Sequence, residues 1–273
     1  MGAGKQESIV KMKTFRMIGM ALMAVLMCVN FTACSEDDPT DEEGSSTTQP
    51  NNEKKLVKII QYVDGRLESV SEFKYGLNGR IAEYQNKTWF GGDNPDQMKY
   101  EYNWYSNDSI TAIENGKLRK GFKLSEGKIV REISYDRDEF YCYTYNKDGH
   151  IIEYKELGQD ASYNYTWNNG KLLQVDDDYY IRYSDSTCKG FFPLFCDEAI
   201  IGSGDILFNA HPELVGARIT YLPSNMTSTN ERTTFDYELD ADGYIKSCTI
   251  VEEEYHGGKW YAYKPDTYEF VWE

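Results

Sequence analysis

From Leu56 onward, apolar and polar residues alternate in short runs, and each run closes on a turn residue. Tyr143-Thr144-Tyr145-Asn146-Lys147-Asp148-Gly149-His150-Ile151-Ile152-Glu153-Tyr154 is the clearest copy. Tyr163-Asn164-Tyr165-Thr166-Trp167-Asn168-Asn169-Gly170-Lys171-Leu172-Leu173 repeats it. Phe73–Ile81 and Phe235–Ile245 follow the same grammar, with shorter echoes at Val63–Leu67, Glu114–Leu118 and Ser125–Ile129. Alternation at period two places one set of side chains on each face of a strand. Asn-Gly and Asp-Gly steps supply the positive φ that primed hairpin turns require, and glycine adopts it without steric cost. Gly149 and Gly170 lie 21 residues apart, the reach of two strands and two turns. The pattern predicts an all-β fold: a large curled antiparallel sheet, a meander of hairpin repeats, partly closed like a barrel.

The segment Lys189–Gly216 breaks the alternation. It holds the apolar cluster Phe191, Phe192, Leu194 and Phe195, then the breaker Gly202-Ser203-Gly204. This predicts one loop and short helix that plug the open side of the sheet, a core cap rather than a lid over a ligand.

The first 55 residues read differently. A basic head, Lys13 and Arg16, precedes an uncharged run from Met17 to Val29, and small residues Thr32 and Ala33 lead into Cys34. That order marks a secretory signal over residues 1–33. The apolar run is about half of the ~20 residues a spanning helix needs. The last positions resemble a lipobox, which implies lipidation of Cys34 and anchoring in a membrane through multiple acyl chains. Met12 is a second candidate start. The acidic run Ser35-Glu36-Asp37-Asp38 resembles the export signal that one phylum of Gram-negative bacteria uses to carry lipoproteins to the cell surface. It implies an outer-membrane, surface-facing protein, with a periplasmic-facing one as the alternative. Pro39–Lys55 lacks any large apolar side chain, so residues 34–55 read as a flexible polar tether and 56–273 as the folded domain.

Composition sharpens this picture. The chain has 23 Tyr, 12 Phe and 5 Trp against 7 Pro, a balance that favours strands. Its net charge of −16 repels nucleic acid, which is set aside as a partner. Both strand faces carry charge, as at Glu101, Lys123 and Arg131, whereas a lipid-facing barrel needs an apolar outer band. A soluble sheet is expected. Of six cysteines, Cys142, Cys188, Cys196 and Cys248 lie in the folded part. Four cysteines allow three pairings, and Cys188 with Cys196, flanking the interruption, is the expected disulfide.

The Tyr-x-Tyr…Asp-Gly-x-Ile units resemble the tyrosine-aspartate repeats of large bacterial surface and toxin proteins. They resemble more closely a family of secreted bacterial lipoproteins of unknown function whose fold is described as porin-like. That family also carries a region like His211-Pro212-Glu213-Leu214-Val215-Gly216, then Leu222-Pro223-Ser224 and a final Asp242-Gly243 hairpin. The resemblance covers Leu56 to Glu273 and implies a curled antiparallel sheet. It implies no known activity and no catalytic residues. The units near Tyr105–Ile110 and Tyr179–Ser186 are weak, which leaves the sheet edges open there.

Candidate chemistry is sparse. His150, His211 and His256 sit in separate segments: His150 reads as a solvated turn residue and His211 as a capping or core residue. No zinc-type spacing, nucleophile elbow or phosphate-binding loop is present, so neither metal nor cofactor is expected. Asp176-Asp177-Asp178 and Glu252-Glu253-Glu254 are the densest carboxylate runs, and consecutive strand residues point to alternate faces, which disperses them. Asp108-Ser109-Ile110 and Asp185-Ser186-Thr187 resemble a short bacterial O-glycosylation acceptor. Tyr163, Tyr165 and Trp167 share one strand face, as do Tyr141, Tyr143 and Tyr145, and aromatic rings on an exposed face stack on sugars. The expectation is a non-enzymatic envelope lipoprotein with a binding or structural role. Its candidate partners are the membrane through Cys34, and a glycan or an envelope protein. The alternative is a carbohydrate-active enzyme or glycan-binding module on an aromatic and acidic sheet face.

Overall fold

A computed structural model describes residues 53–90, 93–159, 162–193 and 206–273, all in a unit that opens at Asn52. Twelve strands precede the interruption: β1 (Leu56–Val63), β2 (Arg66–Tyr75), β3 (Ile81–Thr88), β4 (Asp96–Tyr105), β5 (Ser109–Glu114), β6 (Lys117–Ser125), β7 (Lys128–Ser134), β8 (Glu139–Tyr145), β9 (Ile151–Glu156), β10 (Ser162–Asn168), β11 (Lys171–Val175) and β12 (Tyr179–Thr187). Five follow it: β13 (Tyr221–Thr227), β14 (Glu231–Leu239), β15 (Ile245–His256), β16 (Lys259–Ala262) and β17 (Asp266–Trp272). From β1 to β16 each strand pairs antiparallel with the next in the chain, and β17 pairs with both β15 and β1. The meander therefore closes on itself. Strand β16 pairs only with the far end of β15, which leaves sixteen strands in the ring. Closure goes further than the partial curl the repeats suggest, and it removes the exposed edges that an open sheet would present. The weakly patterned stretches are ordinary wall: β4 and β5 pair from Tyr105↔Ser109, and β12 pairs with β11 and β13.

Two kinds of turn recur. At Asp64-Gly65, Asn115-Gly116, Glu126-Gly127 and Asn169-Gly170 both residues have positive φ, the primed two-residue geometry expected from sequence. Asp148-Gly149 and Asp242-Gly243 depart from it. There only the glycine is left-handed. The turn is led by Asn146 or Asp240, whose Oδ1 accepts from the backbone N–H groups two and four residues on, at 2.9–3.0 Å. A short side chain that mimics a backbone acceptor builds the wider turn.

One end of the ring is sealed. The Gly-x-aliphatic step after each turn at this end places Ile81, Ile129, Ile151, Leu172 and Ile245 fully buried, with Leu56 completing the set. An aromatic from a nearby strand donates to the carbonyl of each: Trp104 to Ile81 (2.8 Å), Trp167 to Ile151 (2.6 Å), Trp272 to Ile245 (2.8 Å), Tyr183 to Leu172 (2.9 Å), Tyr75 to Leu56 (2.7 Å) and Tyr145 to Ile129. Burying an indole or phenol is favourable only when its polar atom finds a partner, and at these six positions a carbonyl of the buried set is that partner.

The interruption fills this end as a plug. Its described part is Phe191 and Phe192, helix α1 (Ile206–Ala210) and a 3-10 turn, Pro212–Val215. Leu207 and Phe208 are fully buried, and Phe208 meets Phe122 and Tyr143 edge-on at 6.1 and 6.3 Å. A barrel of sixteen strands is too wide for its own side chains to fill, so an inserted segment does so. Leu194, Phe195, Cys196 and Gly202–Gly204 lie outside the described residues, as do Cys34 and the signal. Cys188 is a buried free thiol, as is Cys248, and its expected partner is among the residues not described.

Burial has a pH consequence. It pushes the Cys188 thiol up to about 11 and the Cys248 thiol up to about 12, from an ordinary 9.0. The hydroxyls of Tyr75, Tyr145, Tyr183 and Tyr237 move in the same direction for the same reason. The unfolded chain releases these protons from about pH 9 upward while the barrel still holds them. Their contribution to stability is thus full below pH 9 and is lost as pH rises toward the folded values. The urea midpoint is expected to fall between about pH 8 and pH 10.5, by an equivalent of about 2 kcal/mol or more. A midpoint unchanged over that range would contradict it.

Candidate ligand-binding site at the open end

Register separates the wall into two faces. Outward positions carry ion pairs between neighbouring strands: Lys58–Glu72 (2.7 Å), Lys74–Glu83 (2.6 Å), Lys99–Glu83 (2.7 Å), Lys246–Glu238 (2.9 Å) and Arg232–Glu253. Hydrogen bonds from Lys74 and Lys99 hold the Glu83 carboxyl below the usual carboxylate range. This outer face suits water, because a lipid-facing wall presents an apolar band instead. No helix among the described residues is long and apolar enough to cross a membrane.

The inward face changes character with height. Next to the plug it is aliphatic and aromatic. Above that, polar groups enter as hydrogen-bonded sets. Asn86 donates to Ser71 Oγ, which shares a hydrogen bond with Tyr84 (both 3.1 Å), and Gln61 donates to Tyr268 at 3.1 Å. Glu132 is buried, paired with Lys120 at 3.0 Å and accepting from Tyr143 at 2.5 Å. A buried charge persists only when so paired.

At the open end the inward face is tyrosine and carboxylate. Tyr179 donates to Glu231 at 2.9 Å, Tyr141 to Glu139 at 2.7 Å, and Tyr263 to Glu254. Glu231 and Glu254 face one another across β14 and β15, and Tyr261 lies opposite Glu254 on β16. Hydrogen bonds from Tyr263 and His256 lower the Glu254 carboxyl, so it is an anion at neutral pH. Tyr163, Tyr261 and Tyr263 leave 45, 56 and 55% of their surface exposed. Tyr154 links Tyr163 (6.0 Å) to Tyr141, which stacks on it at 5.1 Å with 13° between planes.

The sequence-selected residues fall at different heights. Tyr163, Tyr165 and Trp167 do share the inward face, as Tyr141, Tyr143 and Tyr145 do. Only Tyr163 of the first three reaches the open rim. Tyr165 is buried, and Trp167 is covered by His150, stacked at 4.4 Å and 10°. His150 is accordingly half-buried packing rather than a solvated turn residue. His211, expected as a capping or core residue, sits at the start of the 3-10 turn, where its side chain makes no cap hydrogen bond. The Glu252–Glu254 run alternates as expected, with Glu253 outside on Arg232 and Glu254 inside. Asp176–Asp178 instead makes the turn between β11 and β12. The rim residues Tyr179, Glu231, Tyr261 and Tyr263 come from strands distant in sequence. Their strand pattern is legible, but not that these strands end at one mouth.

The fold has a solved counterpart. A porin-like protein from Bacteroides uniformis ATCC 8492 superimposes with a TM-score of 0.64 at 15% identity, covering 81% of this chain and 98% of that one. At that identity the likeness shows the fold alone. A structure of MucB in complex with MucA(peri) aligns with a TM-score of only 0.15 at 8% identity, too low to bear on the fold. No protein-family model matches the chain, and no curated protein matches it.

Proposed function

We propose that this chain is a non-catalytic, lipid-anchored protein of the bacterial outer membrane whose barrel stands in water and binds a glycan at its open end. The observation that carries the reading is the rim: exposed inward tyrosines beside tyrosine-bonded carboxylates, on a wall whose outer face is charged. Aromatic faces pack on sugar rings, and carboxylates accept from sugar hydroxyls. Lys55, just ahead of β1, and Glu273 exchange backbone hydrogen bonds at the plugged end, opposite the rim. The acidic residues after Cys34 favour display on the cell surface.

A glycan array probed with the full chain in detergent, together with protease shaving of intact cells, tests both parts. Expected are saturable binding to a defined glycan class, weakened about tenfold in Tyr163→Ala or Tyr261→Ala chains, and loss of the protein on shaving. No glycan binding removes the ligand class, protection from protease removes surface display, and turnover of a bound glycan favours the carbohydrate-active enzyme.

A further inference from the structure

A cleft of about 220 Å³ lies at the plugged end, on the seam between plug and wall. Its apolar lining is Leu124 of β6 and Leu214 of the plug, both buried, and Trp104 of β4. Arg80 and Glu213 line the same cleft, yet no ion pair joins them among the described residues. Each is held by its own neighbours. The Arg80 guanidinium lies 4.8 Å from the Trp104 ring centre, with Nη1 donating to Ser106 O at 2.9 Å and Nη2 to Asn107 Oδ1 at 2.5 Å. Glu213 Oε1 accepts from His211 Nδ1 at 2.8 Å, while His211 Nε2 accepts the Ile81 N–H at 3.1 Å, which fixes the tautomer. Burial raises the Glu213 carboxyl, but opposing effects led by the His211 hydrogen bond outweigh it and leave the group below its ordinary value, an anion at neutral pH.

A cation and an anion held apart around an apolar lining complement a small molecule that carries both charges. We propose that this cleft binds a free α-amino acid with an apolar side chain, its carboxylate on Arg80, its ammonium on Glu213 and its side chain on Leu124 and Leu214. A simple carboxylate would meet Glu213 with like charge, and a simple amine would meet Arg80. Because both protein charges are already positioned, little side-chain ordering is left for binding to impose. The site is separate from the glycan-binding rim and stands or falls independently of it.

Calorimetric titration of the full chain in detergent tests it with L-phenylalanine, L-leucine, L-methionine and L-valine. Two analogues accompany them: 3-phenylpropionate, which lacks the ammonium, and 2-phenylethylamine, which lacks the carboxylate. At least one amino acid is expected to bind saturably, and each analogue about tenfold or more weaker than L-phenylalanine. Arg80→Gln and Glu213→Gln chains are expected to lose about tenfold each, with melting curves confirming that they fold. Absence of saturable binding by all four amino acids would overturn the proposal, and so would an analogue that binds as tightly as L-phenylalanine. The analogue series needs no variant, so it decides even if a substitution unfolds the chain.

Discussion

A Gly216→Ala chain is expected to lose on the order of 3–4 kcal/mol of stability, among the largest effects of any single substitution in the barrel. Gly216 ends the 3-10 turn of the plug in the left-handed region, at φ 61°. A Cβ there would meet Gly149 O at 2.2 Å and Ile151 N at 3.1 Å, both backbone atoms of the wall. Neither can swing aside as a side chain would. The turn that carries Gly149 is fixed by the two hydrogen bonds to Asn146 Oδ1, and Ile151 belongs to the buried ring. The plug would have to lift. Lifting would break the 3.1 Å bond from Ile81 to His211 and expose Leu214 and Val215, which are buried beneath it.

Gly116→Ala is the control. Gly116 also has positive φ, 77°, but a Cβ there meets nothing within 4 Å, so only the conformational cost of about 1 kcal/mol applies. Urea unfolding of both variants separates the seat of the plug from the preference of glycine for a turn. Amide exchange at Ile81 adds a local readout: protection lost in Gly216→Ala and kept in Gly116→Ala. Equal losses in the two variants would mean that the plug is not seated on the Gly149 turn.

The second large effect belongs to Phe208→Ala. Phe208 is fully buried on α1, with Phe122 and Tyr143 edge-on against it from β6 and β8. Truncation removes the transfer free energy of the ring and leaves a cavity between plug and wall, together about 3–5 kcal/mol. Phe90→Ala, at a ring 76% exposed, is expected to change stability by less than about 0.5 kcal/mol. If Phe208→Ala leaves the urea midpoint within that small range, the plug is not part of the cooperative core.

Much of this fold was legible residue by residue. Alternation along Tyr143–Tyr145 and Tyr163–Trp167 specifies strands because side-chain period two follows from backbone geometry alone. Asn115-Gly116 and Asn169-Gly170 specify tight hairpins because few other pairs tolerate two consecutive positive φ values. The candidate site was legible only in part. Tyr163 reached the rim, but Tyr261, Tyr263, Glu231 and Tyr179 join it through pairings that span the chain, and no local pattern encodes which strand ends share a mouth.

The same limit separates two sets of identical signals. Gly65-Arg66-Leu67 and Gly116-Lys117-Leu118 have the same grammar as Gly127-Lys128-Ile129 and Gly170-Lys171-Leu172. Leu67 and Leu118 are each 40% exposed, whereas Ile129 and Leu172 are fully buried. By itself the sequence determined that these residues follow a turn and open a strand, since φ preference and alternation act over a few residues. Only the tertiary structure decided which of them became core. Burial depends on which end of the closed ring receives the plug, and that follows from where the long β12–β13 connection leaves the wall.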